Sequence, residues 1–213
     1  MIKLNGRGQL YVVSGPSGCG KDTIVQGLLK RRKNTWLSVS CTSRSPRPGE
    51  IDGKDYFFLT PEEFEKRINE NDFLEYAKYA DNYYGTPKSN IEEHLNKGED
   101  VILVIEIQGA LKIKNILPDT LFIFILPPSM KELRRRLENR GTETKDKIDK
   151  RFLRAYEEIN EVNKYNYVVV NDEVAQAVTK IEAIMIAQKC RVDRIMELDI
   201  DNIEEKIHEA LTV

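Results

Sequence analysis

Along the chain, apolar runs of strand length alternate with stretches whose apolar positions recur at helical spacing. Leu10–Ser14, 36–40, 101–106, Leu121–Leu126 and Tyr167–Val170 read as strands. Val, Ile, Leu and Phe dominate these runs with few polar breaks. That pattern belongs to strands covered on both faces, as in a parallel sheet. Helical signals fall between the runs. A glycine-rich stretch after the first strand gives way to a helix from about Lys21. Thr60-Pro61-Glu62-Glu63 has capping-box spacing with proline at the first helical position. Ser129 and Glu132 repeat that spacing after Pro127-Pro128, and Gly98 is placed to stop the helix before the 101–106 strand. The alternation predicts an α/β fold, a parallel sheet with helices on both faces.

Two stretches break the alternation. Residues 41–87 are polar and carry short aromatic pieces, Tyr56-Phe57-Phe58 and Tyr83-Tyr84, which reads as an inserted subdomain. Residues 141–150 are almost wholly polar between two arginine-bearing helical stretches, a composition that suits a mobile flap. Near the end, Ile203, Ile207, Ala210 and Leu211 fall on one helical face, with Asp201 and Glu204 at capping-box spacing. That predicts a C-terminal helical tail over 190–213.

Composition narrows the classes of function. The 213 residues suit one globular domain, and 33 basic against 35 acidic residues give a formal net charge of -2. There is no global excess of positive charge for non-specific nucleic-acid binding, so an anion site must be built locally. No apolar run is long enough to span a membrane, and the N-terminus lacks a signal-peptide stretch. Cys19, Cys41 and Cys190 make an odd count without metal-like spacing, which predicts reduced thiols and a cytosolic protein. Neither nucleic acid nor membrane is expected as a partner; monomer and homo-oligomer both stay open.

Local chemistry is most specific at Gly15, Pro16, Ser17, Gly18, Cys19, Gly20 and Lys21, spaced G-x-x-x-x-G-K between a strand and a helix. This is the phosphate-loop pattern in its required context. Glycines let backbone N–H groups converge on phosphate oxygens, the helix N-terminus adds partial positive charge, and Lys21 supplies a mobile full one. The next position, normally Ser or Thr for magnesium, is Asp22. It can bind the metal directly or through water, or simply cap or face solvent. Cys19, among N–H groups and beside Lys21, sits where a thiol pKa is lowered; it is either reactive or a small filler. Further on, Arg44 and Arg47 stand three apart in a Pro-rich turn near Tyr56. Two guanidinium forks and a hydroxyl can clamp one phosphate; a solvated basic loop is the plainer alternative.

With these motifs in order, the sequence closely resembles the guanylate kinase family from about Gln9 to about Lys189. The matching segments are GPSGCGK, TSRSPRPGE, DYFF, FLEY around Glu75, NYYGT at 82–86, EIQG at 106–109, RGTET at 140–144 and VND at 170–172. The resemblance implies a single-domain, bacterial-type P-loop kinase over 1–189. Its core would be 1–40, 88–128 and 156–189, its acceptor-binding insert 41–87 and its lid 129–155. It implies transfer of the terminal phosphate of ATP to GMP with magnesium. Arg44, Arg47, Tyr56 and Tyr84 would hold the GMP phosphate, while Ser40, Glu75 and Thr86 would read the guanine. Arg140 and Arg151 would close on the ATP phosphates and Asn171 would lie near the adenine. Many family members carry two acids at the end of the 101–106 strand. Here Val104 replaces the first, which leaves Glu106 for metal water or guanine. The competing readings are a P-loop kinase for another small acceptor, and a guanylate-kinase-like interaction module without catalysis.

Overall fold

Two-residue alternation along buried strands decides which helices each strand face receives. The structure is a computed structural model and describes residues 2–4, 6–79, 81–139 and 145–198. A short strand, β1 (Ile2–Leu4), precedes β2 (Leu10–Ser14), which is buried from end to end. A glycine-rich loop leads into α1 (Lys21–Arg31) and then β3 (Thr35–Leu37). Residues 41–87 hold β4 (Cys41–Thr42), β5 (Phe57–Phe58), α2 (Pro61–Asn69), β6 (Phe73–Tyr79) and β7 (Asn82–Pro87). Next come α3 (Lys88–Asn96), β8 (Asp100–Val104), α4 (Ile107–Ile116) and β9 (Leu121–Leu126). The chain continues through α5 (Met130–Glu138), α6 (Lys145–Ile159), β10 (Tyr167–Val170), α7 (Val174–Lys189) and β11 (Ile195–Leu198).

The main sheet has the order β10-β9-β2-β8-β3, and its paired strands are all parallel. One face presents Tyr11, Val13, Ile102, Ile123, Ile125 and Val169 to Ile24, Val25 and Leu28 of α1 and to Ala177, Val178, Ile181 and Met185 of α7. The other presents Leu10, Val12, Val101, Leu103 and Phe122 to Ile91 and Leu95 of α3 and to Ala110 and Ile113 of α4. Fully burying one such large side chain stabilises the fold by about 1.5–3 kcal/mol before chain entropy is counted. Covering on both faces is what the apolar runs require. Parallel strands also collect their carboxyl ends on one edge, and the loops after β2, β8 and β10 emerge there. At the opposite edge Asp100 is wholly buried, with Arg32 at 3.2 Å and Lys189 at 3.1 Å. That pairing fastens the ends of α1 and α7 to β8.

Residues 41–87 build a second sheet, ordered β5-β4-β7-β6. Thr60 and Glu63 form the reciprocal capping box at the start of α2. It fixes Phe64, which stacks on Phe73 at 4.4 Å and on Tyr83 at 5.1 Å between ring centroids.

Several sequence expectations change. The 36–40 strand ends at Leu37: after one more bond, from Ser38 N–H to the Ile102 carbonyl, the chain leaves for the second sheet. The 101–106 strand is Asp100–Val104, and Glu106 is instead the N-cap residue of α4. Ser129 caps α5 through Glu132 N–H, but the Glu132 carboxylate turns to Arg135 and Arg136, so only half of that box forms. Of the polar flap, residues 145–150 are helical, because Ile148 and Phe152 give α6 an apolar side that packs near Leu133 and Leu137. Arg140 and the rest of 140–144 lie outside the described residues. The expected helical tail opens instead with a tight turn at Val192–Arg194 and then β11, antiparallel to β1. The Asp201–Glu204 cap and the Ile203, Ile207, Ala210 and Leu211 face also lie outside the described residues.

Candidate active site

The loop after β2 enters α1 through Gly20, at φ 94°. This left-handed conformation is costly for a residue with a side chain. A Cβ there would also sit 2.4 Å from the Asn171 amide nitrogen. No side chain caps α1, so its first N–H groups remain for an anion. Lys21 Nζ donates to the Gly15 carbonyl at 2.7 Å and the Pro16 carbonyl at 3.2 Å. Gly15 and Pro16 are buried, and Ser17, Gly18 and Gly20 are half-buried.

Cys19 corrects an expectation. It is wholly buried, and burial raises its thiol pKa more than the neighbouring Lys21 lowers it. The side chain is packing; the backbone carbonyl is the working part. That carbonyl accepts from Asn171 Nδ2 at 2.8 Å and from Arg136 Nη1 at 3.3 Å. Arg136 Nη2 also donates to the Asn171 carbonyl at 3.1 Å. Glu132 aims Arg136 through a 2.9 Å bond from Nε, and hydrogen bonds from Arg135 and Arg136 hold the Glu132 carboxyl at about 2. Asn171 is buried, and its side-chain oxygen has no hydrogen-bond partner among the described residues. A buried acceptor of that kind is an unmet demand for a donor.

Helix α6 reaches this loop and the acceptor side together. Arg151 donates to Ser17 Oγ at 2.5 Å. One turn on, Arg154 donates to Glu106 Oε2 at 2.8 Å and to Glu158 Oε1 at 2.9 Å. Glu106 is exposed and, among the described residues, pairs with Arg154 of α6 rather than approaching Glu75. Asp22 is exposed in the first turn of α1.

In the second sheet, the Arg44 guanidinium lies 5.5 Å from the Tyr56 ring centroid. The Tyr56 and Tyr84 rings are 6.1 Å apart. Burial raises the Tyr56 hydroxyl pKa, keeping it a donor. Arg47 is exposed beside them. Glu50 bonds both terminal nitrogens of Arg44 at 2.9 Å, and these hydrogen bonds lower its carboxyl pKa. Register places Glu75 opposite Thr86, whose buried hydroxyl donates to Glu75 Oε1 at 2.7 Å. The Glu75 carboxylate lies against Gly109 of α4. Ser40 contributes its carbonyl to Phe57 N–H.

The structure therefore gathers the predicted residues into a loop cluster, an arginine–tyrosine cradle and a Glu75–Thr86 pair. Glu106 and Asp22 stand outside all three. Glu50, Arg136 and Arg154 escaped the sequence reading, although each had a signal. Glu50 follows Arg47 across a Pro-Gly turn, Arg136 flanks the apolar Leu133 and Leu137 face, and Arg154 lies one turn beyond Arg151.

A family model described as guanylate kinase matches residues 7–188. A guanylate kinase of Clostridium perfringens is 56% identical over 210 residues, covering 99% of this chain and 97% of its own. One of Caldanaerobacter subterraneus subsp. tengcongensis is 55% identical over 206 residues, covering 97% of this chain and 100% of its own. The crystal structure of guanylate kinase from Anaplasma phagocytophilum superposes with a TM-score of 0.72 at 36% identity, over 93% of this chain and 94% of that one. The relatives align beyond residue 189, where the sequence reading ended the likeness.

Proposed function

Because the chain belongs to the guanylate kinase family, we propose that it transfers the terminal phosphate of ATP to GMP, giving ADP and GDP. The observation that carries the acceptor is the Glu75–Thr86 pair, bonded at 2.7 Å in the same small sheet as the arginine–tyrosine cradle. Guanine offers two adjacent donors, N1–H and N2–H₂, and an ionised carboxylate is a two-oxygen acceptor for them. Thr86 fixes that carboxylate, and Ser40 is assigned to the guanine with them. Arg44, Arg47, Tyr56 and Tyr84 hold the GMP phosphate as nucleophile.

On the donor side, the loop from Gly15 to Gly20 and Lys21 cradle the ATP phosphates, while Asn171 offers its side-chain oxygen to the adenine amine. Arg151, with Arg140, brings positive charge when the lid closes. Phosphoryl transfer asks little covalent chemistry of a protein, so positioning, charge and exclusion of water carry the rate. In this division 1–40, 88–128 and 156–189 are core, 41–87 is the acceptor insert and 129–155 the lid.

Magnesium fits the residues present. Among the described residues no group of three or more His, Cys, Asp or Glu could hold a metal by itself. Magnesium prefers one or two carboxylates together with waters and phosphate oxygens. Asp22 is the carboxylate we assign, with Glu106 as a water-mediated second. When bound, the ion would neutralise phosphate charge. We place the reaction in the cytosol, since Cys19, Cys41 and Cys190 are all free thiols.

The test is a coupled ADP-release assay with GMP, dGMP, IMP and AMP. Turnover with GMP far above AMP, and IMP between them, is expected. Equal rates with AMP would remove the assignment of the acceptor.

A further inference from the structure

The acceptor cradle contains an acid that no role above uses. Glu50 lies three residues beyond Arg47, and the intervening Pro48-Gly49 makes a tight turn. Its N–H donates to the Arg47 carbonyl at 3.0 Å, and Gly49 sits at φ 89°. Proline followed by a glycine at positive φ fits a type II turn. The turn brings the Glu50 side chain back over the loop, where Oε2 accepts Arg47 N–H at 2.7 Å.

From there the carboxylate meets Arg44 end-on. Nη1 donates to Oε2 and Nη2 to Oε1, both at 2.9 Å, and Nη1 donates again to the Ser45 carbonyl at 2.6 Å. The pair is well covered, with 14% of the Arg44 side chain and 20% of the Glu50 side chain exposed. The ring of Phe58 lies on the guanidinium as well, 5.8 Å from centroid to carbon.

Counting donors shows what this does. A guanidinium carries five N–H bonds in a rigid fork. Glu50 takes two and Ser45 one. The two left, Nε–H and the second Nη2–H, lie on one lateral edge, a bidentate match for a phosphate.

We propose that Glu50 is a positioning residue for the acceptor phosphate, holding the end of the Arg44 fork so that its lateral edge is presented to the phosphate. This rests on the reading of the cradle as the GMP phosphate site. Glu50 acts through Arg44 and the Arg47 turn, without touching the substrate. Two effects oppose each other when the charge is removed. Losing the fixed fork weakens phosphate binding, while losing a nearby negative charge favours it. The bidentate, covered geometry makes the first the larger.

The experiment compares wild type with Glu50→Gln, which keeps the shape and removes the charge. The expected result is a KM for GMP raised on the order of tenfold, with kcat changed much less. Inhibition by guanosine, which lacks the phosphate, should be unchanged. The Arg44 Nε–H resonance should be sharp in the wild type and broadened by exchange in the variant. Inorganic phosphate titrated against that resonance should bind the variant more weakly. If Glu50→Gln fails to fold, Glu50→Asp keeps the charge on a shorter stem and should show the same KM shift in smaller measure. A GMP KM that is unchanged or lowered, or equal phosphate affinity in variant and wild type, overturns the proposal. Weaker phosphate binding by the variant in a protein that does not turn over GMP would instead overturn the acceptor reading alone.

Discussion

Glu75 is where one side chain should decide the substrate. Its Oε1 is held by Thr86 at 2.7 Å, so the carboxylate meets a base in a fixed orientation. Adenine would set a lone pair against it, and an unmet acceptor in a partly dry site costs on the order of 1–3 kcal/mol, or about fivefold to 150-fold in kcat/KM. Glu75→Gln is therefore expected to weaken GMP use and narrow the GMP-to-AMP ratio by that factor, with the KM for ATP nearly unchanged. Initial rates for both nucleotides check it; an unmoved ratio removes Glu75 as the base reader. This residue was singled out by the likeness of its FLEY segment to the family, and the two acceptor oxygens of a carboxylate agree with that assignment. Cys19 stayed open in the sequence between an activated thiol and a small filler. Its neighbours suggest an activated thiol, but only the packed structure reveals that burial outweighs them. Glu50 and Arg136 went unseen because a motif names residues for the substrate they touch, and these two touch other residues.

Caps and apolar periods were the best guides to whole helices. At α2 the Thr60–Glu63 exchange is complete, with Glu63 N–H to Thr60 Oγ1 at 3.1 Å and Thr60 N–H to Glu63 Oε2 at 2.7 Å. Thr60→Ala should lower stability by about 1 kcal/mol. A lower urea midpoint with unchanged slope would report it, and the KM for GMP should hold because Thr60 and Glu63 are exposed and their side chains hydrogen-bond each other's backbone, not the acceptor residues. A midpoint equal to wild type would mean that solvent replaces the cap at no cost. Strand ends were harder to place. Both 36–40 and 101–106 run on past the last ladder bond, because apolar composition continues after pairing has stopped. The β1–β11 pair was invisible, since three- and four-residue strands far apart in sequence are too short for a period to register.

Helices α5 and α6 pack together through Leu133, Leu137 and Ala155, so a force on one is felt by the other. From α6, Arg151 to Ser17 and Arg154 to Glu106 join this pair to the rest of the molecule, and from α5 Arg136 reaches the Cys19 and Asn171 carbonyls. The Arg151 contact supplies charge beside the phosphate loop; the Arg154 contact is an exposed ion pair, a class worth about 0–1 kcal/mol. Arg151→Ala should lower kcat by roughly a hundredfold or more, the usual scale for losing one donor to transition-state charge. GMP affinity measured calorimetrically without ATP should stay within about twofold. A variant that loses GMP affinity and turnover together would show that Arg151 shapes the acceptor insert instead of the transfer step. The α/β class and parallel sheet were legible because buried strands must be apolar throughout. The strand order was not, because it depends on which crossovers pack.

That order bears on how the protein is made. The phosphate-loop strand β2 is the third of five in the sheet, yet its neighbours β8 and β9 begin only at Asp100 and Leu121. At about 5–20 residues per second on the ribosome, β2 waits on the order of 5–20 s for its first parallel neighbour. During that interval its apolar run has no ladder partner in the main sheet. The antiparallel strands β6 and β7 are neighbours in sequence and can close as soon as they emerge. The second sheet, built wholly within residues 41–87, can thus close while β2 still lacks its neighbours, and the nascent chain passes through a stage in which one sheet stands before the other exists.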